Sequence, residues 1–103
     1  MKVRAIKIDP SNRTIEEIEL SIDPNRSLGE LQSLIGTNCL QLIPLDPGIC
    51  LLAAAVNEQD DGFGFVGGDL FVRGIAVLLG GRWKRLMALE EELRLFELAV
   101  DWR

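Results

Sequence analysis

The sequence predicts an α+β domain: an antiparallel sheet of about five strands in the order ββαβββα, with a short helix after the first hairpin and an amphipathic helix at the C-terminus. Three observations carry this prediction. Apolar residues alternate with charged ones across positions 2–9 and 14–22, the two-residue period of half-buried strands. Two apolar runs flank Asp46-Pro47-Gly48, whose residue types favour a tight turn. Leu86, Leu89, Leu93, Phe96 and Val100 then recur at spacings of three and four across Glu90, Glu91, Glu92, Arg94 and Glu97, the stripe of an amphipathic helix.

Residues 2–9 place Val3, Ile6 and Ile8 among Lys2, Arg4 and Lys7, and 10–13 supply turn chemistry. In the next segment Thr14 and Glu17 match a capping box, yet Ile18, Leu20 and Ile22 alternate with Glu17, Glu19 and Ser21, and the strand reading is preferred. The result is an N-terminal hairpin with Glu17 and Glu19 expected opposite Arg4 and Lys7. The first helix is expected to have Ser27 as N-cap and Glu30 completing a capping box. Leu28, Leu31, Leu34 and Ile35 form its apolar stripe, and Gly36 stops it.

A second hairpin follows, from 39–45 and 49–56, with Pro44 expected opposite Ile49 and Ile43 opposite Cys50. Its second strand has no polar residue and reads as central, buried on both faces. Residues 57–68 read as a polar, then glycine-rich loop. Residues 69–79 read as the longest strand, with Gly74 marking a bulge or a close backbone approach. The C-terminal helix widens its apolar surface with Leu95 and Leu98, enough to bury one face and offer another to a partner.

The segment 62–81 holds seven of the ten glycines, and its first six residues match G-x-G-x-x-G. A dinucleotide fingerprint needs a strand running into the loop and a helix opening at its end, so that the helix N-terminus faces the pyrophosphate. Here polar residues precede Gly62 and a strand-like run follows, so the stretch is read as a β–β connection whose glycines permit positive φ. No cofactor is expected.

Catalytic chemistry is sparse. The chain has no His and no Tyr, which removes the commonest general base and the histidine-dependent triads. Cys39 and Cys50 lie in apolar strands and read as structural thiols, too far apart along the hairpin for a disulfide. Asp60, Asp61 and Asp69 match no calcium loop and read as solvated, so no metal site is expected. The most suggestive cluster is at 81–85: Arg82, Lys84 and Arg85 suit phosphate or carboxylate, and Trp83 suits a stacked ring. The alternative is that Trp83 anchors the C-terminal helix while the cations are solvated. Arg73 is a second cationic candidate, and Gly67 and Gly68 would close over a ligand as part of a loop.

The chain's 103 residues fit a single domain, and 48% hydrophobic with 26% charged residues is an ordinary globular balance. A net charge of −5 argues against nucleic acid as partner. No apolar run reaches membrane-span length, and residues 1–10 lack the pattern of a secretory signal, so a cytoplasmic protein without membrane partners is expected. The wide C-terminal helix points to a homo-oligomer.

The succession of strand, turn, SLGELQSLIG helix, hairpin, Asn57-Glu58 and GDLFVRGIAVLLGG resembles the domain of unknown function 3846 family of small phage and plasmid proteins, over residues 1–81. Residues 82–103, a basic link and helix, look like an addition. The resemblance implies no site residues. It implies a context in which small accessory proteins bind a host component, including defence proteins or their nucleotide signals. The expected function is therefore a non-enzymatic host-interaction or counter-defence module. Two mechanisms stay open: capture of a small phosphorylated ligand by Arg73, Arg82, Trp83, Lys84 and Arg85 with Gly67 and Gly68, or protein inhibition through Leu95 and Leu98. An enzyme with an Asp-centred metal site is the more distant alternative.

Overall fold

The computed structural model describes residues 2–21, 24–37, 39–46, 48–55, 61–68, 70–82, 85–87 and 93–102. The α+β class holds, and every strand pairing is antiparallel. The elements are β1 (Lys2–Asp9), β2 (Thr14–Ser21), α1 (Pro24–Ile35), β3 (Leu40–Asp46), β4 (Ile49–Ala54), β5 (Gly62–Phe65), β6 (Phe71–Arg73), β7 (Ala76–Arg82), β8 (Arg85–Met87), α2 (Leu93–Ala99) and β9 (Val100–Trp102). A principal sheet runs β2-β1-β7-β4-β3 with β8 added to β7, and a second sheet runs β6-β5-β9.

The principal sheet is buried on both faces. On one face Val3, Ala5, Leu20, Cys50, Leu52, Ala54, Val77 and Leu79 pack with Leu31 and Ile35 of α1. The other face carries Ile6, Ile8, Leu51, Ala53, Ala76 and Leu78, packed with Phe63 and Val72 of the second sheet and with Phe96 and Val100. Successive residues of a strand point to opposite faces, so β4 and residues 76–79 of β7 must be apolar at every position to serve both layers. That explains the polar-free run at Ile49–Ala54, which is central as expected, flanked by β3 and β7.

The N-terminal hairpin forms in strand phase. Arg4 pairs in register with Glu19 and forms an ion pair with Glu17, while Lys7 lies opposite Glu16 with 3.3 Å between Nζ and Oε1. These partly exposed pairs fix register more than they stabilise. At the tip, the buried Asp9 carboxylate accepts from the Ser11 and Asn12 amides, at 3.1 and 3.4 Å, and from Asn12 Nδ2 at 2.8 Å. The short chain reversal also puts Arg13 at φ 52.

Helix α1 begins at Pro24 instead of after Ser27, consistent with the preference of proline for a first helical turn. Glu30 does not complete a capping box. Its carboxylate accepts the Ser21 amide at 3.0 Å, tying the helix to the end of β2. Gly36 ends the helix as expected, at φ 87 with its amide donating to the Gln32 carbonyl at 2.9 Å.

Three further expectations are corrected. In the β3–β4 hairpin Pro44 lies opposite Cys50 and Ile43 opposite Leu51, one residue from the predicted register, because an irregularity between Pro44 and Asp46 absorbs Leu45. The single strand expected at 69–79 is two strands in different sheets. Gly74, buried at φ 78 with its amide donating to the Asp61 carbonyl at 3.1 Å, is the corner between them. Finally, Leu86 lies in β8 and Val100 in β9; within the expected helix the described helical residues are Leu93–Ala99, and 88–92 lie outside the described residues.

Both cysteines are free, Cys39 exposed and Cys50 buried. Burial raises the Cys50 thiol above its ordinary pKa. In the folded protein a thiol reagent should therefore titrate Cys39 promptly and Cys50 only on unfolding, as a stopped-flow Ellman assay would read. The linkage has a definite sign: above the ordinary thiol range the unfolded chain loses a proton that the folded chain keeps, so this contribution to stability is present at neutral pH and falls as pH rises.

Candidate interaction surface

Helix α2 is divided between core and solvent. Phe96, 9% exposed, and Val100 just beyond the helix turn into the face shared by the two sheets. Leu95 and Leu98, three residues apart on one side of the helix, are 56% and 71% exposed. A sequence with Leu at 93, 95 and 98 and Phe at 96 has more apolar positions than a single buried stripe uses, and the surplus faces water.

The β5–β6 turn extends this surface. The Gly68 amide donates to the Phe65 carbonyl at 2.9 Å, and Gly67 takes φ 79, the geometry of a tight turn with glycine at its left-handed position. The adjacent Val66 amide donates to the Ala99 carbonyl at 2.8 Å. That bond fixes the turn at the C-terminal end of α2, so Val66, 71% exposed, lies beside the helix segment that carries Leu98. Three exposed aliphatic residues are thus held on a rigid frame, since Phe63 beneath is fully buried and its ring meets those of Phe65 at 5.8 Å and Trp102 at 6.4 Å, both edge to face. Exposed Glu97 and Asp101 give the neighbourhood an acidic character.

The residues expected to bind a phosphorylated ligand lie on several elements. Gly67 and Gly68 are at the closed end of the β5–β6 hairpin. Arg73 pairs with Gly62 at its open end, exposed, with its guanidinium carbon 5.6 Å from the centre of the Phe71 ring. Arg82 and Arg85 face each other in register across the β7–β8 connection. Trp83 and Lys84 lie outside the described residues. Arg73 precedes the Gly74 corner and Arg82 ends β7, roughly 20 Å apart along an extended strand, so Arg73 and the β7–β8 tip are separate features. The glycine turn that was expected to close over a ligand is tied to the C-terminal end of α2 through the Val66–Ala99 bond. The sequence signal for this was present in Val66, an aliphatic residue within a turn, but its pairing with Ala99 is tertiary.

Two concavities flank α1. An open cleft of about 720 Å³ between β2 and the helix is lined by Glu19, Leu20, Arg26, Gly29, Glu30, Ser33 and Leu34. A groove of about 250 Å³ between the helix and β3 is lined, among the described residues, by Leu28, Leu40, Leu42 and Leu52. Ser11 Oγ donates to Asp61 Oδ2 at 3.2 Å, linking the first hairpin's tip to the start of β5; Asp60 and Asp69 lie outside the described residues. Among the described residues no three acidic, Cys or His side chains are grouped to hold a metal ion, and no helix is long and apolar enough to cross a membrane.

No family model, curated protein or solved structure matches the chain.

Proposed function

We propose that this protein is a non-enzymatic binding module of the phage or mobile-element type, which engages a host protein through the surface formed by Leu95, Leu98 and Val66. The observation that carries this reading is the outward orientation of both leucines on a helix whose opposite side is anchored in the core. Large aliphatic residues held rigidly in water lose hydration on contact without a large ordering cost, which is the character of an interface centre. The acidic residues nearby and the net charge of −5 suit a partner with a basic rim around an apolar face. The resemblance of residues 1–81 to small phage and plasmid proteins supports a host component as the target.

A second reading, capture of a small phosphorylated ligand, is favoured by one observation. The strand register brings the backbones of Arg82 and Arg85, two of the cations suited to an anion, opposite each other at the β7–β8 connection.

One comparison separates the two. Immobilised wild-type protein should retain a specific host protein, and Leu95→Asp/Leu98→Asp should weaken retention by about tenfold or more, 1.4 kcal/mol, with an unchanged melting temperature. Retention by the double variant at the wild-type level contradicts the helix reading. A nucleotide-dependent rise in melting temperature that disappears in Arg85→Ala would move the assignment to the β7–β8 tip.

A further inference from the structure

The two edges of the principal sheet are finished differently. Strand β2 carries Glu16, Glu17 and Glu19, and such charge on an edge discourages pairing with another strand. Strand β3 has no charged residue from Leu40 to Leu45, and it borders the groove lined by Leu28, Leu40, Leu42 and Leu52. Leu28 and Leu42 are 39% and 40% exposed there.

The backbone phase of β3 follows from its pairing. The Ala55 amide donates to the Cys39 carbonyl at 2.7 Å, and the register continues Leu40 opposite Ala54, Gln41 opposite Ala53, Leu42 opposite Leu52, Ile43 opposite Leu51 and Pro44 opposite Cys50. Antiparallel pairs alternate between bonded and non-bonded, so the Cys39 carbonyl and the amides and carbonyls of Gln41 and Ile43 point at β4, while the Cys39 amide donates to Thr37 Oγ1 at 3.1 Å. Leu40, Leu42 and Pro44 point theirs away from β4, toward the edge where no further strand pairs among the described residues. Proline at 44 fits this phase, since its missing N–H would otherwise have been aimed outward.

We propose that β3 pairs with β3 of a second copy of this chain, antiparallel about a two-fold axis through Leu42. Two features of the edge select the occupant and its register. A copy presents the same uncharged edge, whereas the acidic β2 edge does not pair with itself. With Leu42 on the axis, Leu42 of each copy exchanges both amide–carbonyl bonds with its mate. Each Leu40 amide meets the Pro44 carbonyl of the other copy, so the absent proline donor costs only the bond to the Leu40 carbonyl. Side chains of paired residues share a face, so both α1 helices lie on one side of a single continuous sheet, and the two leucine grooves adjoin across the axis, with paired Cα atoms about 5.5 Å apart. The surface on α2 covers the opposite face of the sheet, so this association stands independently of the proposed host contact.

The test is sedimentation equilibrium of the full chain over a wide concentration range. Wild type should show twice the 11.4 kDa chain mass, and Leu42→Pro and Leu42→Lys should each show the single mass. The Leu42 amide points away from β4, the strand that pairs with β3 among the described residues, so Leu42→Pro should keep the far-ultraviolet spectrum of wild type. In a Cys39→Ser background, Leu42→Cys should crosslink to a covalent dimer under mild oxidation, because the axis places the two substituted positions side by side. A wild type that remains monomeric, or a dimer that survives both Leu42 variants, overturns the proposal. So does a monomer whose Leu42→Pro variant alone loses the host protein, since that result assigns the edge to an extended segment of the partner.

Discussion

Phe63→Ala should destabilise the protein by about 3–5 kcal/mol, the range for truncating a fully enclosed aromatic residue. Phe63 is 0% exposed and sits where the second sheet meets the principal one, among Ile6, Ile8, Leu51, Leu78 and Phe96. Its ring is also the shared neighbour of Phe65 and Trp102, so truncation removes two edge-to-face contacts along with the buried area. Domains of this size have about 5–15 kcal/mol in total. The variant should therefore melt on the order of 15 °C lower, with its urea midpoint reduced in proportion. A loss under about 1 kcal/mol would mean that the second sheet is not packed on the first through this residue.

Gly62→Ala should cost about 1–3 kcal/mol through overpacking. A methyl group on Gly62 would lie 2.6 Å from the nearest carbon of the Phe71 ring and 2.8 Å from the Val72 carbonyl oxygen. The ring can rotate away, but the carbonyl belongs to the paired strand β6 and moves only with it. Gly29 provides the opposite case. It lies inside α1 with nothing within 4 Å of an added methyl, so Gly29→Ala should stabilise by about 0.5–1 kcal/mol through helix propensity alone. Chemical denaturation of the two variants should shift the midpoint in opposite directions. Equal shifts of the same sign would contradict the close approach at Gly62.

This contrast also explains what the sequence disclosed. The first hairpin, α1, the strands β3 and β4, and the glycine stop at Gly36 followed from periodicity and turn chemistry, because each is a local decision. A strand follows the G-x-G-x-x-G stretch as expected, yet β5 within it was missed. A four-residue strand with glycine at alternate positions has little intrinsic strand preference, and its formation depends on Phe63 reaching a core assembled from distant segments. The corner at Gly74 was hidden for a related reason. Apolar residues continue on both sides of it, so periodicity reports one strand where the chain changes sheets.

At the C-terminus, the spacing of three and four through Val100 remained helical on paper, but the open side of β5 pairs with Val100–Trp102 and takes them as a strand. The candidate surface was half legible. Leu95 and Leu98 stood out as surplus apolar positions, whereas the docking of Val66, Gly67 and Gly68 beside them rests on one backbone bond to Ala99, which no local pattern encodes. Of the expected cations, Arg82 and Arg85 come into register at the β7–β8 connection, as their nearness in sequence suggests, whereas Arg73 lies before the Gly74 corner in the other sheet.

Partner binding on α2 and the β5–β6 turn can be read by hydrogen exchange of the chain alone and in complex with the retained host protein. Peptides covering 93–100 and 65–68 should gain protection, with residues 14–21 of the acidic β2 edge unchanged. Protection confined to 79–87, or to the β2 edge, with none over α2 and the turn, would contradict it.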